Sequence, residues 1–303
     1  MMNRLAHLVW LSAGVISLAA MLVGPASAQD SLRFFISVDM EGIGGIGSPS
    51  MTSSGGKDYD LGRELLTAEV NTVVAAVFAL HPGAEILIND SHGDHQNALH
   101  TQLDPRVEYI QGSIKPLGMV QGLDESFDGV ILLGYHAKAG DPDGFLAHTG
   151  SGSVKGLWLN DVEVGEGGMN AAFAGAHGVP VILAAGDSAA TAELADLLDT
   201  ETVITKTAET PASARLIHPE RVRKLLGDGV GRALERLDAE GFQPLDLGSP
   251  VQIRMRFAST THADILMSIP GMTKVDGFTV AYTASSADQA YRLIRMMYRF
   301  ISI

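Results

Sequence analysis

The chain has 303 residues, 46% of them hydrophobic and 18% charged, with 21 basic against 35 acidic side chains and no cysteine. That length supplies a large core and one or two domains, while the missing cysteine excludes disulfides, thiolate catalysis and Cys-ligated zinc. The formal charge of −14 argues against a nucleic-acid partner, which needs a basic face, and suits a soluble protein of the bacterial envelope.

The first 28 residues read as a signal peptide: Arg4 is the one formal charge, an apolar stretch follows, and Ala26-Ser27-Ala28 fits the small-residue cleavage rule. The expected product is exported to the periplasm and carries a formal −15 once Arg4 is removed. No later stretch approaches the roughly 18 apolar residues that span a bilayer, so no membrane contact is expected after cleavage. "RFFISV" (33–38) is a short apolar strand that runs into the loop "DMEGIGGIG" (39–47). "LGRELLTAEVNTVVAAVFAL" (61–80) has helical spacing and stops at His81-Pro82-Gly83. Buried strands are predicted at 84–90, 129–135, 154–161 and 179–187, and helices at 166–177, 187–198 and 218–239. This alternation predicts an α/β fold, a mostly parallel sheet flanked by helices. From about residue 250 the pattern changes: "VQIRMRFAS" alternates with period two, "ILMSIPG" and "FTVAYTA" follow as apolar runs, and a helix over 286–301 closes the chain. The expected organisation is an α/β domain over 29–206 and a smaller C-terminal α+β domain over 207–303, the boundary falling somewhere between 205 and 250.

The loop after the first strand poses a choice. Gly42, Gly44 and Gly47 satisfy the dinucleotide fingerprint. Yet "SPSMTSSGGKDYD" follows, which is loop, where the motif must open directly into a phosphate-binding helix. Asp39 and Glu41 stand at the same loop's mouth, two apart and so on one face if the strand geometry persists. Paired carboxylates repel each other and any pyrophosphate; a divalent cation removes the conflict, and zinc, manganese and magnesium all take carboxylate oxygens. The loop is read as a cation site.

Ligands in open parallel sheets lie beyond the carboxyl ends of the strands. His92, His136 and His148 all follow predicted strands or lie in loops on that side, with His95 as a competitor for His92. His81, His177 and His218 stand at helix ends beside proline or glycine and are read as structural. Glu166, between glycines at a helix start, is either a sixth member of the cluster or a simple helix-dipole carboxylate.

In order and spacing, "SVDMEGI" (37–43), "YDLGRELLTAEVN" (59–71), "LINDSHG" (87–93), "LGYHA" (133–137), "AHTG" (147–150) and "NDVEVGEGGMNA" (160–171) make the chain resemble the zinc-dependent D-aminopeptidases of the dipeptide-transport-operon type. In the C-terminal part only "IPGMT" (269–273) stands out. The resemblance implies two zinc ions per subunit. Asp39 would bridge them, Glu41 and His136 completing one site, His92 and Glu166 the other, with His148 in the catalytic position. It implies hydrolysis of short peptides with an N-terminal D-residue, such as D-Ala-D-Ala, inside a large ring-shaped homo-oligomer. Two features depart from the family: the export signal, and the small, flexible "TGSGSVKG" after His148. The alternatives are a metal-dependent amidase or esterase of other specificity, and an exported metal- or solute-binding protein without catalysis.

Overall fold

The structure is a computed structural model that describes residues 31–301; the expected signal peptide, residues 1–28, lies outside the described residues. In chain order the elements are β1 (Arg33–Val38), α1 (Tyr59–Leu80), β2 (Glu85–Asp90), β3 (Glu108–Ile110), β4 (Gly129–Tyr135), β5 (Val154–Leu159) and β6 (Val162–Glu163). Then come α2 (Glu166–Ala176), β7 (Val181–Asp187), α3 (Ser188–Leu197), β8 (Glu201–Thr210), β9 (Ser213–Leu216) and α4 (Pro219–Ala239). The chain closes with β10 (Val251–Phe257), α5 (Thr260–Leu266), β11 (Thr273–Lys274), β12 (Thr279–Ala284) and α6 (Ala287–Ile301).

The main sheet runs β3-β2-β1-β4-β7-β8-β9, with every pairing parallel except the last. Central strands of such a sheet are covered on both faces, which is why β4 and β7 are apolar or small almost throughout and buried along their whole length. β1 divides its side chains between two cores, as strand alternation requires. Phe34, Ile36 and Val38 pack with Val70, Val73 and Val77 of α1 and Val222, Leu226 and Val230 of α4. Phe35 faces the other way, into a core with Phe173 of α2 and Tyr291 and Ile294 of α6. The expected α/β class, with helices on both faces of a mostly parallel sheet, is what the chain adopts.

The second sheet, β11-β12-β10-β5-β6, is antiparallel. It takes strands from either side of residue 206. The run at 154–161, read from its position among βα alternations, joins β10 here; Asn160 and Asp161, at φ 48° and 69°, form the tight turn into β6. "FTVAYTA" supplies β12, whereas "ILMSIPG" ends α5 and turns rather than forming a strand. β8 and β9 escaped the hydrophobic reading because "ETVITKTAET" is threonine-rich and only intermittently buried. Among the described residues, no helix is long and apolar enough to cross a membrane.

Candidate metal centre

Three adjacent parallel strands end together. In the order β2-β1-β4 they deliver His92, then Asp39 with Glu41, then His136. The close approach depends on glycine: a Cβ at Gly42 would lie 2.1 Å from the Tyr135 carbonyl oxygen, and one at Gly134, φ +76°, 2.2 Å from the Asp39 carbonyl oxygen. Gly42 and Gly134 therefore let the loop lie against the end of β4, and the loop passes into a single 3-10 turn, Pro49–Met51, rather than directly into an α-helix. Glu166 comes from outside this row, at the first turn of α2 beyond the antiparallel hairpin. His148 sits in the loop between β4 and β5.

Asp39, Glu41, His136 and Glu166 are all buried. His92 Nδ1 lies 3.2 Å from Asp39 Oδ1 and 2.9 Å from Glu41 Oε2. His136 Nε2 lies 3.4 Å from both Asp39 Oδ2 and Glu166 Oε2, and His148 Nε2 lies 3.6 Å from Glu166 Oε1. The His136 and His148 rings stack, their centroids 4.1 Å apart. Each histidine is aimed by its other nitrogen: His92 Nε2 is 2.7 Å from the Thr52 carbonyl oxygen, His136 Nδ1 is 2.9 Å from that of Ala137, and His148 Nδ1 is 2.9 Å from that of Leu146. As N–H donors to those carbonyls, the three outer nitrogens leave the inner ones free to face the carboxylates, the usual orientation of a metal-binding imidazole.

The electrostatics carry the conflict anticipated for paired acids. Burial and the neighbouring Glu41 charge push the Asp39 carboxyl up to about 8. Burial would also raise Glu41, but the positive charge of His92, with that of His136, overrides it and holds the group well below the usual range. Glu166 is likewise drawn down against burial, to about 2, by His136 and His148. Burial opposes charge on His92 and His136, yet the surrounding carboxylates raise both well above the ordinary histidine value. Three oxygens and nitrogens remain orphaned: Asp39 Oδ2, Glu41 Oε2 and His136 Nε2 are buried without a hydrogen-bond partner. The 2.9 Å approach of Glu41 Oε2 to His92 Nδ1 is thus a charge contact too poorly aligned to satisfy it. Unpaired buried donors of this mixed carboxylate–imidazole type are the ligand set of zinc and similar divalent cations, so the residues fit the metal.

Ligand atoms within 4.8 Å of one another form three groups: Asp39, Glu41 and His92; Asp39, His136 and Glu166; and Glu41, His136 and His148. Asp39 is shared by two groups, and Glu41 reaches both His92 and His136. Every residue expected at the site is thus brought into one cluster. His95 stays out of these groups; its Nδ1 is 2.8 Å from the Asp90 carbonyl oxygen. His81 and His177 are C-caps, and His218 caps α4 by accepting from the Glu220 N–H.

A cavity of about 230 Å³ opens beside the cluster, lined by Asp39, Glu166 and His148 on one side and by Arg295, Tyr298 and Arg299 of α6 on another. The sequence reading missed this wall. The signal was present: Tyr291, Ile294, Arg295 and Tyr298 follow the i, i+3, i+4, i+7 spacing of one buried stripe, and an arginine in such a stripe is out of place.

The chain is similar in sequence and in fold to known proteins. A family model described as D-aminopeptidase matches residues 32–296. A D-aminopeptidase of Bacillus subtilis (strain 168) is 34% identical over 269 residues, covering 88% of this chain and 96% of that protein. The solved structure of the Zn-dependent D-aminopeptidase DppA from Bacillus subtilis, described as a self-compartmentalizing protease, superposes with a TM-score of 0.84. It is 33% identical, and the match covers 89% of this chain and 98% of that one. Matched over nearly all of its described length in sequence and in fold, this chain belongs to the D-aminopeptidase family of peptidases.

Proposed function

We propose that the protein is a two-zinc aminopeptidase that hydrolyses short peptides with an N-terminal D-residue, D-Ala-D-Ala among them. The observation that carries this is the set of orphaned ligand atoms converging from the ends of β1 and β4, beside His92 from the end of β2, around one shared carboxylate, Asp39. In this reading Asp39 would be shared between two cations, with Glu41, His92, His136 and Glu166 as the other residues that would hold them. The two groups around Asp39 support Glu41 with His92 and His136 with Glu166, rather than the pairing of Glu41 with His136 and His92 with Glu166 that the resemblance implies. The chemistry zinc supplies when bound is Lewis-acid polarisation of a carbonyl and activation of water near neutral pH.

The chain's own residues supply the rest. His148 has about a third of its side chain exposed, so substrate can reach it. Its Nδ1 is engaged by the Leu146 carbonyl, which leaves Nε2 as the atom that faces the cavity. We assign that nitrogen the proton that goes to the leaving amine, or the donor bond to the developing oxyanion. Glu166 Oε1, held by the Gly150 N–H, lies 3.6 Å from that nitrogen. The cavity is smaller than the roughly 300–1,000 Å³ of drug-sized sites, which suits a substrate of one or two small residues.

The self-compartmentalizing assembly of the relative DppA supports a ring-shaped homo-oligomer here, and the leader-like segment ending at Ala28 supports export to the periplasm. The test pairs metal content per folded subunit with hydrolysis of D-Ala-p-nitroanilide, its L counterpart and its N-acetylated form. Two zinc equivalents and a D-specific rate that needs a free amine are expected. A metal-replete protein that turns over no amide is instead a binding protein, and one that prefers the acetylated or L form is a different amidase.

A further inference from the structure

Four of the site's residues form a row by contact: His92 lies 3.2 Å from Asp39, Asp39 3.4 Å from His136, and His136 3.4 Å from Glu166. A second row, of neutral side chains, repeats that order. Ser91 Oγ is 2.7 Å from Ser37 Oγ, Ser37 Oγ is 2.6 Å from Tyr135 Oη, and Asn170 Nδ2 donates to Tyr135 Oη at 2.7 Å. Ser91 directly precedes His92, Ser37 stands two before Asp39, Tyr135 directly precedes His136, and Asn170 is one turn of α2 past Glu166. Each contact in the first row is thus matched by a hydrogen bond between chain neighbours in the second.

All four members of the second row are buried, and Tyr135 belongs to the core that holds Phe35, Met119 and Phe173. The Met119 carbonyl accepts from Ser37 at 2.8 Å and from Ser91 at 3.3 Å, and Asn89 Nδ2 donates to Ser91 Oγ at 3.2 Å. Asn170 Oδ1 is left buried with no hydrogen-bond partner among the described residues. Polar groups in an apolar core, one of them incompletely satisfied, are a poor source of stability, whereas linked hydrogen bonds fix relative position. The carboxylates cannot do this for themselves, since Glu41 and Glu166 both repel a charge on Asp39.

We infer that this neutral row holds the ligands at metal-binding spacing, Tyr135 being the positioning residue that ties His136 and Glu166 to Asp39. Ser91 does the same for His92. The assignment rests on the two-zinc reading above. Tyr135 is not among the residues that line the cavity, so its effect passes through the ligands rather than through substrate. Cutting the row at Tyr135 loosens the group of Asp39, His136 and Glu166; cutting it at Ser91 loosens the group of Asp39, Glu41 and His92.

The test strips the full protein of metal and titrates it with zinc alone by calorimetry, beside Tyr135→Phe, Asn170→Ala and Ser91→Ala. Two binding events are expected throughout. Tyr135→Phe should weaken one event roughly 10- to 100-fold, the usual cost of losing a partner that orients a ligand, and leave the other nearly unchanged. Asn170→Ala should weaken that same event, and Ser91→Ala the other one. Electron paramagnetic resonance of the manganese-loaded protein gives a second readout, because the coupling of two close ions depends on their spacing; Tyr135→Phe should alter it. Zinc affinities unmoved in the folded variants would overturn the assignment. So would both events weakened alike by every variant, since that marks a purely structural role. If Tyr135→Phe misfolds, Asn170→Ala against Ser91→Ala decides the same contrast. Unaltered protein that takes up fewer than two zinc ions removes the two-zinc reading and this assignment with it, whereas two zinc ions without the contrast removes this assignment alone.

Discussion

Two buried aspartates stand almost side by side at the carboxyl end of the sheet, and they are treated oppositely. Asp90 pairs with Val38 across the β1–β2 ladder, so Asp39 lies just one residue further along the neighbouring strand. Asp90 is fully satisfied: it accepts from Asn97 N at 2.6 Å, Ala98 N at 3.0 Å, Asn97 Nδ2 at 2.8 Å and Tyr109 Oη at 2.6 Å. Asp39 accepts from Met40 N at 2.9 Å and is approached by two imidazoles, but its Oδ2 is left with no hydrogen bond. One carboxylate is finished by the fold; the other is left incomplete, and incompleteness of that kind is what a metal or a substrate exploits.

Substitution should separate the two most sharply. Asp39→Asn should lose metal and reduce hydrolysis by roughly 10³-fold or more, while the melting temperature, compared between the metal-free proteins, is unchanged or raised because the repelled buried carboxyl is gone. Metal analysis beside a thermal melt reads both, and full metal retention would contradict the bridging role. His148→Ala should keep both metals and lower kcat by about 10²- to 10⁴-fold; metal analysis with steady-state kinetics decides it. Trapping of an acyl group on His148 would show that the residue attacks rather than donates. Asp90→Ala should reverse the Asp39 pattern. Four donors lose a carboxylate acceptor, so denaturant unfolding should show a loss of about 3–5 kcal/mol, with normal metal content in whatever fraction stays folded.

The smallest expected effect concerns a third buried acid, Glu69, which accepts from Gly44 N at 2.8 Å. Burial pushes its carboxyl up to about 8 from an ordinary 4.5. Because the folded chain holds this proton over a range where the unfolded chain has released it, its contribution is fully present below pH 4.5 and is lost as the pH rises through about 8. Glu69→Gln keeps an acceptor for the Gly44 N–H and should flatten that part of the stability curve, as denaturation midpoints measured from pH 5 to 9 would reveal. An unchanged slope would place the titration elsewhere.

The contrast between the aspartates also explains what could be read without coordinates. Strand ends in a parallel sheet point to one side, so Asp39, Glu41, His92 and His136 could be gathered from apolar runs and their polar termini alone. Nothing in "LINDSHG" distinguishes a finished Asp90 from a ligand, since its donors come from Asn97, Ala98 and Tyr109, further along the chain. Glu166 looked equally like a helix-dipole acid, because its partnership with His136 and His148 is tertiary. The second sheet was illegible for a related reason. Hydrophobic period identifies β5 as a strand, but its partner β10 lies far along the sequence and only packing reveals the antiparallel pairing.

The pocket draws its walls from opposite extremities of the chain, Asp39 just past the opening strand and Tyr298 in the closing helix. A ribosome must therefore release both segments, 259 residues apart in sequence, before the pocket can form. Synthesis itself keeps a half-made molecule harmless.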